Sequence, residues 1–320
     1  MFPRPNLPMS IFLLTSLVVS SVAAAGAEEL DSKSSKLFYC DAQLEAGDGD
    51  IALAAERDRM RLDASLDAYH GLAFFAGGAG LALGAESTGR VSGNNSFDDG
   101  WRDGFRGVSA NAREALDTAG DVGLALGIGL LPLATIGAKY FRTHDCLETW
   151  DMTTDWIESF GLALFVTQST KFAVGRSRPY AEECDGSPPR DARCGADDRF
   201  QSFFSGHASF AAAGAGLTCA FSLNREAWGP SKAARYLPCA LGVTTAVATG
   251  LLRVAADRHW GTDVLVGLVV GGAIGYFDTW GPLDLLKFET RNSRGRVSAK
   301  GMILPSVKDG RMGAQLVMVF

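Results

Sequence analysis

Residues 202–223 read SFFSGHASFAAAGAGLTCAFSL, a short polar start followed by an uninterrupted apolar run. Ser205 and Gly206 stand directly ahead of the Ala- and Gly-rich stretch from Ala208 to Leu223. A serine hydroxyl in that place can cap a helix, and a glycine lets backbone N–H groups approach a ligand. The free N–H groups of a helix start form a natural anion site, and His207 sits at its mouth. Taken alone, the same residues also describe a plain N-cap.

Five further apolar stretches surround this one: Gly71 to Ala85, Val122 to Ala138, Trp156 to Val166, Tyr236 to Leu252 and Val264 to Phe277. They are rich in Ala and Gly and mostly free of interior charge. At about 11 to 17 residues they reach at most the edge of the ~20 that a membrane span needs, so buried core helices and short membrane helices both fit. The expected fold is all-α, a helical bundle. A charged amphipathic helix precedes it, with Ile51, Ala54, Ala55, Met60, Leu62, Leu66 and Tyr69 on its apolar positions. Between the first two stretches lies polar Glu86 to Gly120, where Phe97, Trp101 and Phe105 recur at i, i+4 and i+8 as a packed or interfacial helix face rather than a binding box.

The C-terminal tail differs in kind. Lys287 to Arg311 carries seven Lys or Arg against two acids, and Met302 to Val307 and Met312 to Phe320 flank Lys308-Asp309-Gly310-Arg311. Asp-Gly between apolar runs is a β-hairpin signal. One hairpin cannot close an outer-membrane barrel. The expected order is therefore a signal peptide over 1–27, an N-terminal helical extension over 28–69, a helical core over 70–285, and a basic tail with a short β-hairpin over 286–320.

With 320 residues, 47% hydrophobic and 21% charged, the chain is no collagen, low-complexity or disordered sequence. A net charge of −6 and a pI near 5.3 give no basis for a nucleic-acid partner. The mean hydropathy of +0.08 lies between soluble enzymes and polytopic membrane proteins. Arg4, the apolar run Ile11 to Val22 and the small residues Ala23 to Ala27 follow the order of a secretory signal, with cleavage after Ala25 or Ala27. An uncleaved anchor is the rival reading. Export makes disulfides plausible among Cys40, Cys146, Cys184, Cys194, Cys219 and Cys239. Sequence cannot choose among their connectivities, but the nearest pair, Cys184 and Cys194, is the expected staple. Their spacing does not suggest zinc.

Two more segments carry chemistry. In Lys171-Phe-Ala-Val-Gly-Arg-Ser-Arg178-Pro179 an apolar helix ends in cations. Lys171 and Arg178, seven apart, would project from one helix face toward a common anion, the Arg as a planar fork and the Lys as a point charge. Cations at a helix C-terminus are also favoured by the macrodipole without any ligand. In Arg253-Val-Ala-Ala-Asp-Arg-His259-Trp-Gly-Thr-Asp263 a helical course would put His259 and Asp263 on one face. The carboxylate would then take one ring N–H and fix the tautomer, leaving the other nitrogen as a nucleophile.

The ordered set Lys-x6-Arg-Pro, Ser-Gly-His and Arg-x5-His-x3-Asp resembles the type 2 phosphatidic acid phosphatase superfamily, which shares its helical fold with class A acid phosphatases and vanadium haloperoxidases. The motifs span residues 171 to 263. Phe204 stands where the family usually has Pro, and Leu252 where it usually has Ser; neither change removes a catalytic group. The resemblance implies that Lys171, Arg178 and Arg253 neutralise phosphate oxygens, with the Ser205 hydroxyl and Gly206 N–H completing the cradle. It implies that His259 attacks phosphorus, Asp263 orients it, and His207 protonates the leaving oxygen and then activates water. No metal or other cofactor is implied.

A cradle for phosphate also accepts vanadate, so a haloperoxidase is the rival enzyme. The chain is short for that branch. An envelope protein with a dead fold is the non-enzyme reading, against which stands the presence of every titratable motif residue. The family's integral members place the site on the outer membrane face with six spans. With a signal sequence ahead of it, six full spans would put Lys171 inside, so the expectation is an exported bundle, periplasmic or membrane-associated, that does not make six simple crossings. Its expected substrate is a lipid phosphate or pyrophosphate, with a soluble phosphomonoester as the alternative. The basic tail could touch anionic lipid.

Overall fold

The computed structural model of the chain describes residues 68–82, 91, 95–105, 108–184 and 192–280, and the backbone of Lys287–Arg291, Val297–Lys308 and Arg311–Val319. By its contacts the chain divides into Met1–Leu66 and Asp67–Phe320. The first unit lies outside the described residues, and so do the expected signal peptide over 1–27 and nearly all of the extension over 28–69.

The described part is mostly helical. A helix covers residues 68–82 (α1), followed by Ser96–Asp103 (α2), Ala110–Leu124 (α3), Leu131–Thr143 (α4), Cys146–Val174 (α5), Gly206–Leu223 (α6), Lys232–Ala255 (α7) and Gly261–Phe277 (α8). Where they are described, the six apolar stretches are helical, Val122 to Ala138 running from the end of α3 into α4. A π-helical turn, Ala125–Leu130, joins α3 to α4 without a break.

The stretch that opens the sequence argument becomes the axis of the bundle. Fifteen of the 18 residues of α6 are buried, which places neighbours on every side of it. Small side chains let those neighbours come close. A Cβ on Gly271 of α8 would lie 1.9 Å from the Ser209 carbonyl oxygen, and one on Gly275 would lie 1.9 Å from that of Ala213. The two helices therefore touch backbone to backbone. α7 is joined to α6 by a disulfide between Cys219 and Cys239, and Cys184–Cys194 closes the expected staple, with Cα atoms 5.4 Å apart.

Trp101 and Phe105 pack against Ala208, Val254 and Val264, whereas Phe97 is exposed; the aromatic triplet is a packed face at two of its three positions.

The bundle has polar ends and an apolar waist. At one end the Lys139 Nζ donates to the Arg225 carbonyl at 2.8 Å, Arg142 donates to the Glu226 carbonyl at 2.6 Å, and Arg235 donates to the Leu223 carbonyl at 2.7 Å. Between the ends, large apolar side chains face outward. Leu130 is 59% exposed, Leu237 60% and Val269 71%. The continuous helix Asn111–Thr143 and α7 are each long and apolar enough to cross a membrane by length and composition.

After α8 the backbone pairs antiparallel in the order Lys287–Arg291 (β1), Val297–Lys308 (β2) and Arg311–Val319 (β3). The expected hairpin turn at Asp309-Gly310 lies outside the described residues.

Candidate active site

The other polar end of the bundle gathers the three motif segments. Lys171 lies in the last turn of α5, which stops at Val174 because Gly175 adopts a left-handed conformation, φ 59°, and donates to the Lys171 carbonyl. Arg178 is consequently not on the helix, and the expectation of one shared helical face is corrected. Arg178 is placed instead by its own contacts: Nη1 donates to the Arg258 carbonyl at 3.2 Å, Nε to the Asp198 carbonyl at 3.0 Å, and Nη2 pairs with the Asp198 carboxylate at 2.9 Å.

Ser205 is the N-cap of α6, its hydroxyl accepting the Ala208 N–H. Gly206 sits beside the lysine. A Cβ there would lie 3.6 Å from the Lys171 Nζ, so the bare α-carbon and the ammonium share one wall of the cleft. The Phe203–Phe204 peptide bond leading into this turn is cis. Ser205 N–H donates to the Asp263 carbonyl at 3.0 Å, which ties the start of α6 to the start of α8.

His259 and Asp263 do not share a helix as expected. Trp260 is the N-cap of α8 and His259 precedes it. The Asp263 carboxylate accepts the Trp260 N–H at 3.1 Å, the Ser202 hydroxyl and the Arg176 Nη1 at 2.6 Å. Its oxygens are thus committed to the helix start and to an arginine. It stands 3.7 Å from the His259 Nδ1, while the hydrogen bond of that nitrogen runs to the Ser202 carbonyl at 2.8 Å. A carbonyl only accepts, so Nδ1 carries the proton and Nε2 keeps its lone pair. The tautomer required of a nucleophile is present, set by a backbone atom two residues ahead of Phe204.

Arg253, in the last turn of α7, reaches α3. Its Nη1 lies 2.6 Å from Asp117 Oδ1 and 3.3 Å from Asp121 Oδ1. Gly120 makes room for it, since a Cβ there would come 2.9 Å from the Arg253 Cδ. Asp117 also holds Arg258, and Asp121 holds the His207 Nε2 at 2.7 Å.

The electrostatics of this end favour anions. Burial, and then the charges of Arg178, Lys171 and Arg253, push the His259 imidazole well below its ordinary range, so it stays neutral. Burial and the neighbouring Arg178 bring the Lys171 ammonium down to about 7. His207 is lowered to about 4, by burial first and Arg253 second. Cations that destabilise one another's charge in a buried cleft are what a polyanionic phosphoryl group would relieve.

Behind the cleft lies a buried ionic layer. Arg176 bridges Asp263 and Asp98, each at 2.6 Å, and Asp98 accepts the Thr262 N–H at 2.8 Å. The guanidinium groups of Arg102 and Arg176 each lie 5.5 Å from the centre of the Trp260 ring. These partners, with Asp117, Asp121, Asp198 and Ser202, escaped the sequence reading. Asp117 and Asp121 alone left a trace, an i, i+4 acid pair just ahead of an apolar run.

All eight expected residues therefore meet at one end of the bundle: Lys171, Arg178, Ser205, Gly206, His207, Arg253, His259 and Asp263. No solved structure matches the chain. Residues 153–284 match the family model of the PAP2 superfamily, whose members are phosphatases and related hydrolases acting on phosphorylated substrates. That segment runs from the body of α5 past the end of α8 and holds all eight residues, and over it the chain is similar to the PAP2, or type 2 phosphatidic acid phosphatase, superfamily.

Proposed function

We propose that the protein hydrolyses a phosphate monoester or pyrophosphate of a lipid through a phosphohistidine intermediate. The observation that carries this reading is the state of His259: neutral, with Nδ1–H committed to the Ser202 carbonyl and Nε2 left bare beside Lys171, Arg178 and Arg253. In the first step Nε2 attacks phosphorus and the P–O bond to the leaving group breaks. The three cations, the Ser205 hydroxyl and the Gly206 N–H stabilise the charge that spreads over the phosphoryl oxygens. His207 gives a proton to the departing oxygen. In the second step it takes a proton from the water that attacks the phosphohistidine, releasing phosphate and restoring His259. These roles are carried by the chain's own residues, and no metal enters them.

A lipid substrate is supported by the outward apolar side chains of α4, α7 and α8 beneath the cleft end. They would rest among acyl chains while the polar end meets headgroups, which makes the protein membrane-associated. The disulfides Cys184–Cys194 and Cys219–Cys239 support an oxidising compartment, consistent with export to the periplasm.

The test is a phosphate-release panel on detergent-extracted and detergent-free fractions. It compares dioctanoyl phosphatidate, a polyprenyl pyrophosphate and p-nitrophenyl phosphate. The expected result is release from the lipid substrates, abolished in His259→Ala and His207→Ala, with the protein in the detergent fraction. Release from p-nitrophenyl phosphate alone by a detergent-free protein would make it a soluble acid phosphatase. Vanadate-dependent halide oxidation without phosphate release would make it a haloperoxidase.

A further inference from the structure

Within the proposed phosphatase reading, we infer that Asp121 is the positioning residue of His207, accepting its Nε2–H and leaving Nδ1 as the nitrogen that carries the proton to and from substrate. The carboxylate Oδ1 lies 2.7 Å from Nε2 and 3.3 Å from the Arg253 Nη1, so one oxygen stands between the acid-base group and a phosphate-binding cation. Asp121 belongs to none of the three motifs. An ionised carboxylate only accepts, which assigns the Nε2 proton as firmly as the Ser202 carbonyl assigns Nδ1–H of His259. The two histidines thus present opposite nitrogens, each fixed by a partner on its far side.

The titratable and charged groups facing His207 come from the elements around it: Asp121 and Asp117 from α3, Lys171 from α5, Arg253 from α7 and the neutral His259 ahead of α8. Burial and Arg253 make the imidazolium unfavourable, and Asp121 acts the other way. Such a carboxylate is needed if His207 is to hold a proton when the leaving oxygen departs. Asp121 does this from the rim, where it is 63% exposed, so its replacement does not empty a buried site.

The experiment uses Asp121→Asn in the full chain, with Asp121→Glu as the conservative variant and His207→Ala and His259→Ala in parallel. The value of kcat/KM reports the steps through departure of the leaving group. An alkyl leaving group needs the proton and p-nitrophenolate hardly does. The expected result is a fall of about 10- to 100-fold on dioctanoyl phosphatidate, little change on p-nitrophenyl phosphate, and recovery in Asp121→Glu. An equal loss on both substrates, no loss, or a gain overturns the inference. Should His207→Ala and His259→Ala keep full activity, the phosphatase reading itself fails. The pairing is read independently by NMR titration of the four histidines. Asp121→Asn should lower the midpoint of His207, and an unmoved midpoint overturns the inference whatever the activity.

Discussion

The Nδ1 of His259 is held by the carbonyl oxygen of Ser202 at 2.8 Å. Asp263 acts one step back, binding the Ser202 hydroxyl and Arg176. Asp263→Asn should therefore lower kcat through a misplaced loop, and Ser202→Ala, which keeps the carbonyl, should lower it less. Asp263→Ala leaves Arg176 buried with one acid fewer and should cost about 3–5 kcal/mol of stability. Steady-state kinetics with urea unfolding separates the two effects; a Ser202→Ala enzyme as impaired as Asp263→Asn contradicts the arrangement.

Gly206 is required by the ligand more than by the fold. An added Cβ would meet the Lys171 Nζ at 3.6 Å and Thr167 Cγ2 at 3.5 Å, ordinary contact distances. Gly206→Ala should keep its Tm within a few degrees, since a helix start accepts alanine, yet raise KM by narrowing the phosphate cleft. A large fall in Tm with unchanged KM would reverse this reading.

Lys171 is charged below about 7 and neutral above it. Binding of an anion to the free enzyme should weaken as pH rises through that value. Inhibition by sulfate, whose own charge is constant across the range, shows this without interference. Lys171→Arg should remove the break near pH 7. Because charging a buried lysine opposes folding, Lys171→Met should raise Tm while losing sulfate affinity.

The contact of α6 with α8 sets a different test. Gly271→Ala puts a methyl 1.9 Å from the Ser209 carbonyl oxygen, so the helices must part. The expected cost is at least the roughly 1–3 kcal/mol of overpacking, measured by urea unfolding. A neutral substitution would mean that the helices do not touch there.

What was legible in the sequence was what short range encodes. Ser205 as an N-cap, the apolar body of each helix and the Cys184–Cys194 staple follow from neighbouring residues, and the structure has them. The errors came from where helices end. Gly175 takes Arg178 off α5, and the N-cap at Trp260 takes His259 off α8, so reasoning by i, i+4 and i, i+7 placed each pair on a face it does not share. Asp117 and Asp121 were missed because they reach Arg253 and His207 from more than 80 residues away in sequence. Only the packing of α3 beside α6 and α7 brings them there.

The central claim is that His259 takes the phosphoryl group and His207 completes its release. It is tested most directly by trapping. His207→Ala, mixed with labelled p-nitrophenyl phosphate, should form the phosphoenzyme but release it slowly. The label should be lost in acid and kept in base, as a phosphoramidate is, and should map to His259. Labelling of His207→Ala at that residue, with none in His259→Ala, is the predicted result. A phosphoenzyme that persists in His259→Ala, or full turnover by that variant, would contradict the account.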